Sequence, residues 1–496
     1  MNYYLIKYMT KTFYLTTTLP YVNAAPHIGH ALEFFQADAL ARYFRKKLGD
    51  KNVFFNVGTD EHGLKILQKS KEYNLSPKDY VDQNVKSWYE FCEKFKISYD
   101  YFYRTSEKYH YPRAQRFWEE CFSKGDIYKK KYEGLYCVGC EAFKTDKELV
   151  NGKCPDHNIE PIFYSEENYF FKLTKYKDIL LKYYDNNKNT LKPLFKLQEL
   201  ENFIKNIEDI SISRVKENLP WGIPVPGDDT QVMYVWFDAL TNYINTIGYP
   251  DDLTKFNIWW NNNDDQHQTL QIFGPDNLRF QCAIWQGMLA SAGIQFTKNF
   301  ICHGTILGPD GRKMSKTIGN IVSPFDQVER FGVDTVRYYM LGVMPTFGDT
   351  SYNESDLIFN YNANLSNNFG NLLNRVIHLS DKKEIVINNI EKVEAIFKKE
   401  VDDFSEQINK SFEEFDLKVV ADKINNLSNR GNKYIDEKKP WMLKDIEEIQ
   451  LVLNNLSYLL LKLIDSYEPF IPDSIMKARK ALQERETIIL FPKIEK

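Results

Sequence analysis

The chain has 496 residues and a formal net charge of -4, which leaves room for about three domains and excludes a global basic signature for nucleic acid. Hydrophobic residues make up 43% and charged residues 27%, the balance of a globular chain rather than a disordered or fibrous one. No apolar run is long enough to cross a bilayer, no signal-peptide core opens the chain, and seven cysteines without a secretory signal point to a reducing, cytoplasmic setting.

In chain order, Thr12 to Thr17 is rich in β-branched and aromatic residues and reads as a strand. A loop with Pro20 and Asn23 follows. Pro26 stands where a helix would open, and the pattern is helical from His27 to Leu48, with Gly49 as its C-cap. Asn52 to Val57 reads as a second strand, Gly58 to Gly63 as a turn-rich loop, and another helix follows. This is a β-α-β unit, the start of a parallel sheet covered by helices. The stretch 111–226 is punctuated, charged and aromatic, and reads as an insertion. Its Lys129-Lys130-Lys131 run reads equally well as a solvated turn or a local basic stripe. Alternation resumes with Leu270 to Phe273 as strand, Asn277 to Ser291 as helix and Asn299 to His303 as strand. A short Asn/Asp patch, Asn261 to Asp265, interrupts it. From about Asp356 helical patterns dominate, with breaks near Gly370, Lys382, Gly431 and Pro440, and predict an all-α C-terminal bundle.

Two stretches carry phosphate chemistry. In L-P-Y-V-N-A-A-P-H-I-G-H, His27 and His30 share one face of the first helical turn, beside free backbone N–H groups and the positive dipole end. Gly29 lets a ligand approach the backbone, and the position follows a strand of the parallel sheet. That describes an anion site of the kind that takes a nucleoside triphosphate, although two histidines that only cap a helix fit the local pattern too. In G-P-D-G-R-K-M-S-K-T-I-G-N, Gly308 to Asn320, Lys313 and Lys316 flank a Met-Ser pair on a glycine-punctuated loop. Two lysines on such a loop can neutralise charge that develops on a leaving group. Alone, a solvated lysine pair reads as well; the two stretches together, on two halves of one α/β sheet, are a far stronger signal.

Cys137-Val-Gly-Cys140 and Cys154-Pro-Asp-His157 form a C-x2-C and C-x2-H pair, with Gly139 and Gly152 suited to knuckle turns. Three thiolates and an imidazole suit tetrahedral zinc, and four protein ligands leave no open position, so the site is expected to be structural. Cys92, Cys121, Cys282 and Cys302 read as packed thiols.

H-I-G-H followed by K-M-S-K-T resembles the two signature motifs of class I aminoacyl-tRNA synthetases. Five stretches in order resemble the methionyl-tRNA synthetase family in particular: the one ending in H-I-G-H, G-T-D-E-H-G (58–63), Y-V-W-F-D-A-L-T-N-Y (234–243), N-N-F-G-N-L-L-N-R (367–375) and N-K-Y-I-D-E-K-K-P-W (432–441). The likeness runs over nearly the whole chain from about Lys11. It implies ATP-dependent attachment of L-methionine to tRNA(Met). The methionine carboxylate attacks the α-phosphate of ATP, pyrophosphate leaves, and the methionyl-adenylate passes to the tRNA with release of AMP. It implies catalysis by His27, His30, Lys313 and Lys316, with Gly29, Glu33, Asp276 and both lysines holding ATP as its magnesium complex. Leu19, Tyr21, Asp60, Trp236, Ala239, Tyr243, Asn277 and Gln281 would line the methionine pocket, Asp60 on the ammonium group. Cys137, Cys140, Cys154 and His157 would hold one structural zinc, and Asn371, Arg375 and Trp441 would contact the CAU anticodon.

The implied architecture is an α/β Rossmann-type catalytic domain, 10–110 and 227–304, split by a connective insertion, 111–226, with a zinc knuckle at about 134–160. A K-M-S-K-T loop and stem-contact region, 305–360, and an all-α anticodon-binding bundle, 361–496, follow. Two departures stand out. Gln281 occupies the place of a pocket histidine common in the family, and Trp285-Gln286-Gly287 replaces a W-P-A pattern. The end of the chain at Lys496 leads us to expect a monomer without membrane partners. Competing readings are a leucine, isoleucine, valine or cysteine enzyme of the same class, a small-molecule nucleotidyltransferase with H-x-G-H, and a non-catalytic tRNA-binding protein. The first group usually carries a larger editing insertion or a different signature. The second leaves the helical bundle unexplained, and the third predicts degraded motifs where these are intact.

Overall fold

The computed structural model describes residues 11–495 apart from 141, 156, 261–266, 313, 315–319 and 386–391. Lys313, Lys316 and Thr317 of the second motif, and the Asn261 to Asp265 patch, therefore lie outside the described residues. The chain divides into two compact units. One holds the residues up to Pro26, Leu48–Glu93 and Ser98–Cys302; the other holds His27–Lys47, Lys94–Ile97 and the chain from His303 on.

The first unit is organised by a six-stranded sheet in the order Tyr101–Arg104, Val53–Thr59, Thr12–Thr16, His267–Phe273, Asn299–Cys302, Leu191–Lys192. Every neighbouring pair is parallel. The central strand T-F-Y-L-T is buried at every position, as a parallel strand covered on both faces must be. It pairs Phe13 with Val53 on one side and Gln268 on the other. The edge strand Leu191–Lys192 comes from inside the stretch read as an insertion. That stretch also holds helices His110–Ser123, Lys177–Asn186 and Phe195–Lys205 and a four-stranded antiparallel sheet built on the long pair Ile127–Cys137 and Ile162–Phe171. Lys129, Lys130 and Lys131 lie within that strand, not in a turn, and Lys129 pairs with Asp228 at 3.0 Å. The core gathers Phe117, Trp118, Phe237 and Trp285, with Phe117 packed 5.8 Å from Trp285 and Trp118 edge-on to Phe237 at 5.1 Å.

Helix Ile28–Leu48 belongs to the second unit, where Tyr43 stacks on Phe412 at 4.1 Å and the Gln36 amide donates to the Thr346 carbonyl at 3.1 Å. Arg337, fully buried, pairs with Asp38 of the same helix at 2.7 Å and donates to the Pro469 carbonyl at 2.8 Å. Among the described residues after the short strand Thr350–Ser351 the regular elements are helices, the long ones Ala395–Glu413, Leu417–Lys438 and Ile446–Tyr467.

Four local expectations need correction. The first helix opens at Ile28, so Pro26 lies outside it and His27 takes the capping position. Asn277 to Ser291 is not one regular helix. A 3-10 turn, Pro275–Asn277, leads into a π-helical turn, Phe280–Ile284, and then an α-helix, Trp285–Ala292. Gly370 does not break its helix, which passes from a π-helical segment, Tyr361–Gly370, directly into Asn371–Lys382. Gly431 lies inside Leu417–Lys438 because a Cβ there would sit 2.6 Å from Leu372 and 2.9 Å from Leu459: the glycine serves close packing, not termination. The expected stop at Pro440 is present, with Lys439 left-handed at φ 46.

Candidate active site and metal centre

In the sheet unit, three neighbouring strands deliver expected site residues at their carboxyl ends, where open parallel sheets bind ligands. Thr12–Thr16 leads to Leu19 and Tyr21, Val53–Thr59 to Asp60, and His267–Phe273 to Asp276 and Asn277. The loops are tied by backbone: the Asp60 N–H donates to the Pro20 carbonyl at 2.9 Å, and the Val22 N–H to the Asp60 carbonyl at 3.1 Å. The Asp60 side chain is buried, whereas Asp276 is exposed on its 3-10 turn.

Trp236 and Ala239 sit on helix Val235–Leu240, and Tyr243 begins the next turn. The Tyr14 hydroxyl on the central strand donates to the Tyr243 carbonyl at 2.7 Å, so the sheet sets the height of this wall. Trp236 stacks on Phe280 at 3.9 Å and 8°. The Gln281 amide donates to the Tyr243 hydroxyl at 2.8 Å, and the Gln281 Oε1, buried, has no hydrogen-bond partner among the described residues. The neighbouring departure has a local reason. The Gln286 Nε2 donates to the Gln281 carbonyl at 2.8 Å while its Oε1 accepts from the Thr297 N–H at 3.0 Å, so the side chain ties the π-helical turn to the loop before Asn299–Cys302. Gly287 packs under Leu173, whose Cδ1 would have to move to admit a Cβ at 2.4 Å.

Behind these walls lies a network that sequence reasoning did not single out. Asp238 faces inward between Trp236 and Ala239. Its Oδ2 lies 3.1 Å from Nδ1 of His62, and its Oδ1 lies 3.8 Å from Nε2 of His110. His62 Nε2 meets the Tyr111 hydroxyl at 3.1 Å, and His110 Nδ1 meets the Tyr103 hydroxyl at 2.9 Å. Burial alone would raise the Asp238 carboxyl, but the two imidazoles hold it below the ordinary carboxylate value. Burial holds His110 below the ordinary imidazole value. The signal was present: His62 lies in G-T-D-E-H-G and Asp238 in W-F-D-A, but nothing in linear spacing pairs them.

In the other unit, His27 and His30 cap their helix reciprocally. The His30 N–H donates to Nδ1 of His27 at 3.3 Å, the His27 N–H donates to Nδ1 of His30 at 3.1 Å, and the rings stack at 3.6 Å and 18°. This is the geometry of a capping box built from two imidazoles. Both Nδ1 atoms accept, so each neutral ring carries its proton on Nε2 and presents that N–H as its donor edge. Burial of the ring nitrogens holds both imidazoles below the ordinary value, His30 well below it with His27 and His303 adding to it, His27 less far because Glu33 opposes the shift. A side chain at Gly29 would press on the His27 ring at 3.0 Å. Glu33, buried one turn on, lies 3.2 Å from Nε2 of His303.

The expected metal ligands converge. The ligand atoms of Cys137, Cys140, Cys154 and His157 all lie within 4.8 Å of one another. Cys140 Sγ is 3.4 Å from Cys154 Sγ and 3.3 Å from His157 Nδ1, and Cys154 Sγ is 3.9 Å from that Nδ1. Those edges match a tetrahedron with bonds of about 2.0–2.3 Å, as zinc takes with nitrogen and sulfur. None of the seven cysteines is paired in a disulfide, and Cys92, Cys121, Cys282 and Cys302 are buried.

In the helical bundle, Asn371, Arg375 and Trp441 also converge. The Asn371 amide and the Arg375 guanidinium donate to Asn432 Oδ1 at 3.3 and 3.4 Å; Arg375 pairs with Asp436 and lies 5.9 Å over the Trp441 ring. Trp441 is 51% exposed, enough to offer a face to a base.

Comparison with known proteins matches this arrangement. The family model for tRNA synthetases class I (M) matches residues 13–161 and 157–377. The methionine–tRNA ligase of Clostridium tetani is 39% identical over 95% of this chain and 74% of its own length, and that of Rickettsia bellii 36% identical over 95% and 92%. The structure of Mycobacterium tuberculosis methionyl-tRNA synthetase in complex with methionyl-adenylate superposes with a TM-score of 0.86 at 32% identity, covering 95% of this chain and 93% of that one. A β-α-β start to a parallel sheet, a Cys3His knuckle and a helical C-terminal region, together with these matches over most of the chain, leave one conclusion: the chain belongs to the class I tRNA synthetases, in their methionyl-tRNA synthetase family.

Proposed function

We propose that the chain attaches L-methionine to tRNA(Met) at the expense of ATP, through a methionyl-adenylate, with release of pyrophosphate and AMP. The observation that carries this is the likeness, over 95% of the chain, to a synthetase that holds methionyl-adenylate. Catalysis is then mainly positioning and charge stabilisation. The Nε2–H edges of His27 and His30 donate to phosphate oxygens, and because both rings are neutral they bind as dipoles and leave charge neutralisation to Lys313 and Lys316. Glu33 and Asp276 take the nucleoside, and ATP arrives as its magnesium complex.

The buried Asp60 carboxylate receives the methionine ammonium group. Leu19, Tyr21, Trp236, Ala239 and Tyr243 surround the thioether, whose weak hydrogen bonding makes shape and sulfur–aromatic contact the basis of selection. Gln281 holds the Tyr243 hydroxyl from behind, and Asn277 borders the same pocket. The Cys3His cluster holds one zinc ion; bound there, zinc supplies four strong bonds to a knuckle that has little core of its own. Asn371, Arg375 and Trp441 read the anticodon, with Asn432 and Asp436 orienting the arginine. We take the enzyme as a monomer, which a dimeric mass by light scattering would overturn.

The test is ATP–pyrophosphate exchange with methionine, leucine, isoleucine, valine and cysteine supplied separately. Exchange with methionine alone is expected. Exchange with another amino acid keeps the reaction and discards the pocket assignment, and no exchange with any discards the reaction.

A further inference from the structure

The Asp238 network is larger than helix stability requires. Five side chains from four elements line up: Tyr111, half-buried, with His62, His62 with Asp238, and His110 with Tyr103 lie at hydrogen-bond distance, while Asp238 Oδ1 faces His110 Nε2 at the longer 3.8 Å. Asp238, His62 and His110 are at most 1% exposed. An ionised carboxylate can only accept, so Nδ1 of His62 carries its proton; in the neutral ring Nε2 then accepts from the Tyr111 hydroxyl. The His62 ring is also clamped by aromatic edges, Trp221 at 5.3 Å and Tyr111 at 5.5 Å. The Trp221 indole N–H donates to the Glu61 carbonyl at 2.7 Å. Glu61 in turn forms a two-point ion pair with Arg104, at 2.7 and 2.9 Å.

The placement is specific. His62 is two residues from Asp60 on one loop. Asp238 lies between Trp236 and Ala239 on the facing helix. His110 and Tyr111 open the helix that leads into the antiparallel sheet and the metal knuckle. One carboxylate therefore fixes the distance between the loop that bears the ammonium-binding group and the helix that bears the aromatic wall, and ties both to the base of the insertion.

We propose that His62 and Asp238 are positioning residues of the amino-acid pocket, acting through Asp60 on one side and Trp236 on the other. This rests on the reading of that pocket as the methionine site. Among the described residues the network touches neither His27 nor His30, so its loss should change methionine recognition and spare ATP.

The experiment is steady-state ATP–pyrophosphate exchange on the full chain with Asp238→Asn, His62→Gln, His62→Ala and Tyr111→Phe. In Asp238→Asn the side chain keeps its shape, but one face becomes a donor aimed at an imidazole N–H. KM for methionine is expected to rise about tenfold or more, with KM for ATP within about twofold of the unaltered enzyme and kcat falling less than KM rises. His62→Gln keeps a donor toward Asp238 and should recover part of what His62→Ala loses. Tyr111→Phe removes a single hydroxyl and should raise KM for methionine about threefold; it and His62→Gln carry the test if Asp238→Asn does not fold. Folded variants with unchanged KM for methionine, KM values for both substrates rising together, or no recovery in His62→Gln would overturn the inference. Absence of methionine-dependent exchange in the unaltered enzyme would instead overturn the pocket reading and this inference with it.

Discussion

Gly139→Ala should weaken metal binding at the Cys3His cluster about a hundredfold while leaving every ligand in the sequence. A Cβ on residue 139 would lie 2.4 Å from Cγ, 2.6 Å from Cδ2 and 2.9 Å from Nδ1 of His157. Carbon atoms pack at about 3.5–4.0 Å, so the ring must retreat by roughly 1 Å. A zinc–nitrogen bond tolerates only about ±0.2 Å around its ordinary length, so the fourth bond is lost. Structural zinc sites bind with about 10–16 kcal/mol, and a quarter of that is about 3 kcal/mol, roughly a hundredfold in affinity. Competition with a chromophoric chelator measures it directly. Gly152→Ala is the comparison: residue 152 is left-handed at φ 76 with nothing within 4 Å of a Cβ, so alanine there strains backbone without touching a ligand. That strain costs about 1–2 kcal/mol and should weaken the metal by at most about thirtyfold. A Gly139→Ala protein that holds zinc as tightly as the unaltered one, or less weakened than Gly152→Ala, would refute the reasoning.

Three further outcomes follow from the same geometry. Gln281→Leu removes the Gln281 hydrogen bond to the Tyr243 hydroxyl, which costs about 1 kcal/mol and should raise KM for methionine about fivefold; Gln281→His, which restores a donor, should stay near the unaltered value, and an unchanged KM in Gln281→Leu would remove any role for the bond. Folding holds His27, His30 and His110 below the imidazole value of 6.5. The unfolded chain therefore binds more protons just below that pH, so the melting temperature should fall between about pH 7 and pH 5. A flat or rising melting temperature in that window would contradict it. Arg337→Met strands Asp38, which keeps Arg42 at 2.7 Å, in a buried setting; the loss should be near the low end of about 3–5 kcal/mol by urea titration, and a cost under about 1 kcal/mol would show the ion pair to be dispensable.

The elements that could be read from linear pattern were those whose physics is local. Thr12–Thr16, Val53–Thr59 and Asn299–Cys302 announce themselves as short β-branched and aromatic runs, and the Gly49 and Pro440 stops depend on single residues. The cysteine pairs were legible because metal ligands recur at short spacing in the chain. Elements that depend on distant partners were not. Leu191–Lys192 carries too few residues for a period and becomes a strand only because Asn299–Cys302 offers an edge. Gly431 reads as a breaker until Leu372 and Leu459 are seen to need its missing side chain.

The site divides the same way. The sequence by itself determined the family and put forward the candidate phosphate, metal and anticodon residues, because those groups are expected in short motifs whose members are neighbours in the chain. Only the tertiary structure decided that His27 and His30 cap each other as neutral rings, that Gln281 props Tyr243, and that Asp238 stands between two imidazoles 128 and 176 residues away in the chain. A buried polar group must find its partner wherever the packed chain provides one, and no periodicity along the chain records where that is.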